Sequence, residues 1–522
     1  MKLFNALVTE MNYKNKNRSL TQHRKVAVSF RDNALHDIFE ISLSMLNSLA
    51  TRALPFSTTL PPNEAAVVEC QLLDQAISLL SNCLNFDFIG VLPDEASDEA
   101  ATLQVPNNWK DRIQTGSTLR LLFNLYKGCT TGKISLFVDA SAPPIIGSGT
   151  ASSNSGGGGA FSAAPMGSPG TTVFGNTSGG GGASQPMRDF SISLEGAAQA
   201  LDCISAMVSV RRSLFTADAE RKRYLVHIMR GVCEILREKQ GLKDEACYHN
   251  FCKLLSRIKN NQQLTDLIKS EGYAEWLNLT ASFTIEACNN PSWSSNSMNY
   301  ILGLWGRLVA SVPYARLESS GNSSAMAVAG IMGIGSGMQG GGGTSSMPDV
   351  QLDKYVPSIV GAYIRGRVDL LTCANQDIAL DELSDLENID DQLENMPTLC
   401  RYVYEENVAI IRSIMDPIMV QYERVWTAIR SSPAAAVDQH IPTLRVLECQ
   451  LAYLVAIIGA VIGGGGAHSS SSSAHALMRA TSASQSINPV GEEACDAELC
   501  RQVFTLMMQG NRTLSEVASR LP

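Results

Sequence analysis

The chain has 522 residues, of which 45% are hydrophobic and 17% are charged, and it carries a net charge of -9. A chain of this length and apolar content can form several ordinary domains or one long repeat array. The acidic balance argues against nucleic acid as a partner, because phosphate binding requires concentrated lysine and arginine.

Apolar residues recur at helical spacing along most of the chain. In "ECQLLDQAISLLSNCL", Cys70, Leu73, Ile77, Leu80 and Leu84 are separated by alternating steps of three and four residues, which places them on one face of a helix. The same pattern predicts helices, in chain order, within residues 33–49, 69–84, 223–236, 248–258 and 298–313.

Local signals mark one helix start and one weak strand. Thr216 is the predicted N-cap of the helix that contains residues 223–236, and Asp218 and Glu220 follow in the first turn, where acidic residues favour the helix dipole. Strand patterns are nearly absent, since only residues 133–140 alternate, and no partner for them is evident. The sequence therefore predicts helices joined by loops.

The predicted fold class is all-α, with about fifteen amphipathic helices. At this length a solenoid of stacked helix pairs is favoured over a bundle, because single cores stop growing at roughly 250–300 residues. No clean sequence period is visible, which is typical of HEAT repeats, whose unit is roughly 40–47 residues of paired antiparallel helices. The sequence thus predicts a HEAT-repeat (armadillo-like) α-α superhelical solenoid.

Three stretches rich in glycine and serine interrupt the helical pattern. We predict that they are flexible, disordered loops rather than domain borders, because they cannot bury apolar surface and the helical pattern continues on both sides of each. The predicted layout is HEAT-like helices at 1–140, a loop at 141–185, HEAT-like helices at 186–318, a loop at 319–346, HEAT-like helices at 347–462, a loop at 463–489 and a terminal helix at 490–522.

The most apolar stretch, Leu451–Ile462, fits either a membrane span or the core face of a soluble helix. Its length corresponds to roughly 18 Å of helix, whereas a bilayer core requires about 30 Å. Glycine follows from Gly463 onward, and glycine ends helices because it enters the left-handed region without strain. We therefore predict a buried helix that ends near Gly463, and no membrane insertion.

The cysteines and the N-terminal sequence indicate the compartment. Thirteen cysteines without regular spacing do not form a disulfide framework. The closest pairs, Cys247 with Cys252 and Cys495 with Cys500, have no second pair nearby to complete a zinc site. With no long apolar signal segment at the N-terminus, the pattern indicates reduced thiols in an intracellular protein.

No set of catalytic, cofactor-binding or metal-ligating residues is recognisable in the sequence. "GCTTGKI" (128–134) resembles a phosphate-binding loop, but only three residues separate its glycines, and Ile134 replaces the serine or threonine that would bind magnesium. The seven histidines form no HExxH motif. We therefore predict that the protein is not an enzyme and takes no cofactor or metal.

Two charged segments are the candidate binding elements. Residues 14–32 are basic, and residues 377–394 are acidic. The simpler interpretation is that both are solvated loops or helix faces. The alternative is that the acidic segment contacts a basic partner. The candidate contact residues are Asp385, Glu387, Asp390 and Asp391.

Several stretches, taken together, resemble one known family. They include "LTQHRKVAVSFRD", "LHDIFEISLSML", "VPNNWKDRI", "AERKRYLVHIMRGV", "YHNFCKLLSRIKNNQQLTDLI", "NYILGLWGRLVASVPY" and "YLVAIIGAVIGG", in the order that the family has them. The chain resembles the exportin-7 family, also called Ran-binding proteins 16 and 17, of the importin-β superfamily of nuclear transport receptors. The matching stretches are spread over nearly the whole chain outside the Gly/Ser-rich regions.

The resemblance implies a HEAT-repeat superhelix and a role in nuclear export. Members of this superfamily bind the GTPase Ran in its GTP form together with protein cargo in the nucleus, pass through the nuclear pore complex in contact with pore proteins, and release the cargo in the cytoplasm. Family members are longer, so the chain resembles an internal portion, and the superfamily's main Ran contact lies in repeats that precede it. The alternative function is a HEAT-repeat scaffold for protein–protein interaction without Ran dependence.

Overall fold

The computed structural model describes residues 1–13, 19–51, 62–87, 102–103, 105–135, 187–190, 192–319, 350–373, 392–431, 433–463 and 489–517. The predicted loop at 141–185 lies outside the described residues. So do residues 320–346 of the second predicted loop and 464–488 of the third. The outer residues of these two loops are helical instead, because Ser319 and Gly463 each end a helix and Pro489 begins one.

Helices make up nearly all of the described chain. In chain order they are α1 (Lys2–Asn12), α2 (Leu20–Phe30), α3 (His36–Thr51), α4 (Pro62–Leu84), α5 (Lys110–Gln114), α6 (Ser117–Thr131), α7 (Leu194–Val208), α8 (Asp218–Glu238), α9 (Glu245–Asn261), α10 (Leu264–Ile268), α11 (Tyr273–Asn289), α12 (Pro291–Ser294), α13 (Met298–Ala310), α14 (Val312–Ser319), α15 (Val356–Cys373), α16 (Met396–Tyr402), α17 (Tyr404–Ser431), α18 (Ile441–Gly463) and α19 (Pro489–Val517). A π-helical stretch, Arg31–Leu35, joins α2 to α3.

The longer helices form two stacked layers. In the first layer α3, α6, α8, α11, α15 and α17 contact one another in that order. In the second layer α4, α7, α9, α13, α16 and α18 do the same. Helices of the two layers also pair with each other, as in α3 with α4, α6 with α7 and α17 with α18. This arrangement of stacked helix pairs confirms the predicted all-α solenoid.

The apolar faces predicted from periodicity form one continuous core along the solenoid. Leu73, Ile77 and Leu80 of α4 are fully buried, and so are Trp276 of α11 and Trp305 of α13. The indole N–H of Trp305 donates to Thr284 Oγ1 at 2.9 Å, so the polar atom of this large side chain is satisfied inside the core. Each layer therefore buries its apolar side against the other layer.

The cysteines in the described part of the chain are free thiols, and most of them are buried. Burial raises the pKa of the Cys83 thiol to about 12, which keeps it protonated and unreactive at neutral pH. These residues pack as small apolar side chains, as the sequence predicted.

Two of the local predictions require correction. The first residues of the stretch 133–140 have a partner after all, because β1 (Lys133–Ser135) pairs antiparallel with β2 (Met187–Asp189), and residues 136–140 lie outside the described part of the chain. The N-cap of α8 is Ala217 rather than Thr216. Glu220 closes this end of the helix, since its Oε2 accepts hydrogen bonds from the backbone N–H of Ala217 at 3.3 Å and from Thr216 Oγ1 at 2.9 Å.

The helix that contains the apolar stretch is longer than the stretch itself. Helix α18 starts ten residues before Leu451, and among the described helices it alone is long and apolar enough to cross a membrane, with a mean hydropathy of 2.0. The estimate of its length from the apolar run was therefore too short. One side of α18, including Leu454 and Ile457, is buried against α16 and α17, whereas Ala452 and Ala456 are exposed. The prediction of a buried helix thus holds for one face.

The first layer contains one very close helix crossing. A Cβ atom added to Gly366 in α15 would lie 1.9 Å from the carbonyl oxygen of Cys288 in α11. No residue with a side chain fits at that position without moving a backbone segment. Gly366 therefore sets the distance between α11 and α15, and with it the stacking of the repeats before and after this point.

Candidate functional site

The predicted contact residues Asp385, Glu387, Asp390 and Asp391 lie outside the described residues. Only the end of the acidic segment 377–394, Gln392 to Glu394, is described. The structure nevertheless gives the two points between which the rest of the segment runs. One point is Cys373, where α15 ends. The other is Gln392, which precedes α16.

Gln392 fixes the end of the acidic segment to the solenoid. Its side chain is 2% exposed, and its Oε1 accepts a hydrogen bond from Tyr363 Oη at 3.1 Å and another from the Arg367 guanidinium. Because Tyr363 uses its proton for this bond, Tyr453 Oη donates to Tyr363 Oη at 2.9 Å. The network ties the segment to α15 and α18, whose residues are far apart in sequence.

An open groove lies between α15, α17 and α18, next to the point where α15 ends. Its volume is about 710 Å³. The walls combine the charged side chains of Arg365 and Asp369 with apolar side chains, such as Ile414, Ile418 and Val446. A groove with apolar walls and charged groups at the rim is suited to a peptide or protein segment rather than to a small enclosed ligand.

The base of this groove is held by a buried amide. Gln450 of α18 donates from Nε2 to the carbonyl oxygen of Val368 at 3.0 Å and to Thr372 Oγ1 at 2.6 Å. On the opposite wall, Pro417 lies inside α17 and has no N–H to donate to the carbonyl of Ser413, which also lines the groove. The groove thus has a hydrogen-bonded base and, at Ser413, a carbonyl without its usual helical donor.

No sequence pattern indicated this groove or the roles of Gln392 and Gln450. The groove is built from helices that are separated by up to some eighty residues along the chain, as the hydrogen bond from Gln450 to Val368 shows. Only the acidic segment 377–394 was recognisable, from its composition.

The glycines of the sequence resembling a phosphate loop have structural roles. Gly128 is buried within α6 against Phe190 and Ile134, and Gly132 ends the helix with φ of +69°. Within the described residues, no group of three or more His, Cys, Asp or Glu side chains is placed to hold a metal ion.

Comparison with known proteins finds relatives along almost the entire chain. Exportin-7-A of Xenopus laevis is 30% identical over 517 residues, which is 99% of this chain and 36% of that protein. Ran-binding protein 17 of Homo sapiens is 30% identical over 462 residues, covering 88% of this chain and 32% of that protein. Ran-binding protein 16 of Drosophila melanogaster is 29% identical over 447 residues, covering 85% of this chain and 31% of that protein. The chain thus spans about a third of the length of the curated relatives that it matches.

The family model that matches covers most of the groove, from Thr372 to Gln450, but not its α15 residues Arg365, Val368 and Asp369. Its description is "Exportin-7-like, TPR domain", and it matches residues 370–520. The description assigns this part to the TPR type of helical repeat, whereas the sequence pattern suggested the HEAT type. Both types are stacks of antiparallel helix pairs, as the structure shows. Relatives named exportin-7 or Ran-binding protein 16 and 17 thus match nearly the full length of this chain, which is similar to the exportin-7 family.

Proposed function

We propose that the chain is a nuclear transport receptor, or a part of one, that carries protein cargo out of the nucleus through the nuclear pore together with Ran in its GTP form. The observation that carries the proposal is the 30% identity to Exportin-7-A over 99% of the chain. Such a receptor works in both the nucleus and the cytoplasm, and it contacts nuclear pore proteins during passage.

The architecture supports a binding role of this kind. A solenoid of helix pairs presents long continuous surfaces, and these suit large protein partners better than compact folds do. The relatives named Ran-binding protein 16 and 17 point to Ran as one such partner. The proposed role is binding and transport rather than catalysis.

The proposal predicts that the chain distinguishes the two nucleotide states of Ran. With the chain immobilised for biolayer interferometry, we expect Ran locked in the GTP form to bind about 5- to 150-fold more tightly than Ran bound to GDP, the usual range for coupling between two sites. Equal affinity for the two forms, with retained binding of other proteins, would instead support a scaffold without Ran dependence.

We further propose that the acidic segment 377–394 contacts Ran or a basic cargo. The helix before it, α15, lines the groove as far as Thr372, and Gln392 holds the other end of the segment on the solenoid. Acidic side chains next to a groove attract a basic partner before the two proteins dock. The segment and the groove would then act together, one steering the partner and the other contacting it.

Neutralising the segment tests this contact. We expect the variant Asp385→Asn, Glu387→Gln, Asp390→Asn and Asp391→Asn to slow association with the partner more than it speeds dissociation, because exposed charges mainly steer encounter. The difference should shrink as salt is added, since screening acts within about 8 Å at physiological ionic strength.

A matched control is available in the second acidic segment, "DEASDEA" at 94–100. Replacing Asp94, Glu95, Asp98 and Glu99 by their amides changes the net charge by the same amount. If both variants slow association equally, the effect comes from overall charge and the acidic segment 377–394 has no specific role. Both variants should melt like the parent, because solvated charges contribute less than about 1 kcal/mol each.

A further inference from the structure

The outer side of α8 carries a positively charged face where the helix crosses α6. Arg223, His227 and Arg230 occur on successive turns of α8, and Arg120 of α6 adjoins them. The imidazole of His227 packs over Gly116, since a Cβ atom at Gly116 would lie 2.9 Å from His227 Cδ2. We call these four residues, Arg120, Arg223, His227 and Arg230, the α6–α8 basic face.

Two arginines of this face, Arg223 and Arg230, differ from the other two arginines of α8. Arg221 is paired with Asp266 at 2.6 Å, and Arg237 with Glu275 at 2.7 Å. Arg223 and Arg230 are exposed, and neither forms an ion pair with any of the described residues. Their charge is therefore available to a partner, in a protein whose net charge is -9.

The electrostatic environment of His227 supports a concentration of positive charge here. Its pKa lies below the usual value because of burial and because of the nearby charges of Arg120, Arg230 and Arg223. On the same helix, the pKa of the Glu220 carboxyl is lowered chiefly by hydrogen bonds from Thr216 and Ala217, and to a smaller extent by the charge of Arg223. The next carboxylate on this side, Glu234, is already engaged by Lys127 of α6.

We propose that the α6–α8 basic face binds an acidic segment of a partner protein. Arg223, His227 and Arg230 advance along the helix axis by roughly 6 Å and then by roughly 4.5 Å, at 1.5 Å per residue. Acidic residues at every second position of an extended chain are separated by roughly 6.6 Å, so flexible arginine side chains can reach them.

The chemistry favours a protein segment over a nucleic acid. The one ring of the basic face, the His227 imidazole, is half-buried over Gly116, so the face offers no fully exposed ring on which a base could stack. The overall negative charge of the chain also repels a long polyanion, whereas a short acidic segment interacts mainly with the nearby arginines. The inference is independent of the proposed interaction with Ran.

The test measures binding of a labelled oligoglutamate peptide to the full chain by fluorescence anisotropy at low salt. We expect the double variant Arg223→Gln and Arg230→Gln to weaken binding about tenfold, because each exposed charge pair contributes only a few-fold. The variant with lysine at both positions should keep most of the affinity, because the charge is retained. Both positions are exposed, and unchanged circular dichroism would confirm that the variants fold.

The control is Arg237→Gln with Lys239→Gln, which removes two charges that are already paired at the end of the same helix. This variant should bind the peptide like the parent. The proposal is wrong if the control loses as much affinity as the test variant, or if the parent does not bind the peptide. It is also wrong if single-stranded RNA binds more tightly than the peptide and depends on the same two arginines.

Discussion

The Gly366→Ala variant is expected to lose about 3 kcal/mol or more of unfolding free energy, at the upper end of the effects of overpacking a core. The added Cβ atom would lie 1.9 Å from the carbonyl oxygen of Cys288. The obstacle is a backbone atom of α11, which cannot turn aside as the end of a flexible side chain can. Relief requires α11 and α15 to move apart, which opens the core around them.

Urea unfolding followed by circular dichroism would measure this loss. The matched control is Gly459→Ala in α18, where an added Cβ atom meets no other atom within 4 Å. Alanine is favoured over glycine in a helix by roughly 0.5–1 kcal/mol, so the control should be as stable as the parent or slightly more stable. A Gly366→Ala variant that unfolds at the same urea concentration as the parent would show that α11 and α15 are farther apart than described.

The Gly366→Ala variant should also change the hydrogen exchange of the helices on either side of this contact. In a solenoid each repeat contacts only its neighbours, so a weak interface uncouples the parts on either side of it. The amide protons of the helices before α11 would then exchange with solvent at one opening free energy, and those of the helices after α15 at another. In the parent, the α11–α15 contact couples them.

Much of the helical framework could be predicted from the sequence, because helix formation leaves a local trace. Leu73, Ile77 and Leu80 were placed on one face by their spacing alone, and all three are fully buried. The pairing of β1 with β2 could not be predicted in this way. Its register joins Ile134 to Arg188 across more than fifty residues, and no local pattern specifies such a contact.

The candidate site likewise depends on contacts between distant residues that no local sequence pattern specifies. The acidic segment was evident from composition, but its attachment depends on Gln392, Tyr363 and Tyr453, which come together only when α15 and α18 pack. The groove depends likewise on three helices. A single sequence indicates which residues are charged or apolar, whereas the contacts between distant residues arise from tertiary packing.

Helix α18 shows how a local estimate can be wrong in one respect and right in another. The apolar run underestimated its length, because the helix already begins at Ile441, with Pro442 in its first turn, where proline is tolerated. The burial of its core face was predicted correctly, since Leu454 and Ile457 are fully buried. The length of α18 allows a membrane span, so its two faces need to be tested separately.

The Ile457→Asp variant should lose about 3–5 kcal/mol of unfolding free energy, because it places an unpaired carboxylate in the core. The same substitution at the neighbouring Ala456, which is exposed, should have little effect on thermal unfolding. Burial raises the pKa of the introduced carboxyl, and its protonated form is less costly to bury. The folded variant therefore binds more protons than the unfolded chain, and its deficit relative to the parent should narrow as the pH falls.

The pair of substitutions also distinguishes packing from membrane insertion. If α18 packs on one face, only Ile457→Asp is destabilising, and Ala456→Asp unfolds at the parent's temperature. If α18 crossed a membrane, both positions would lie within the bilayer core, and a carboxylate at either one would be costly. Equal damage from the two substitutions, or a parent that stays dispersed only in detergent, would therefore overturn the assignment of Ile457 to the solenoid core and of Ala456 to its water-exposed surface.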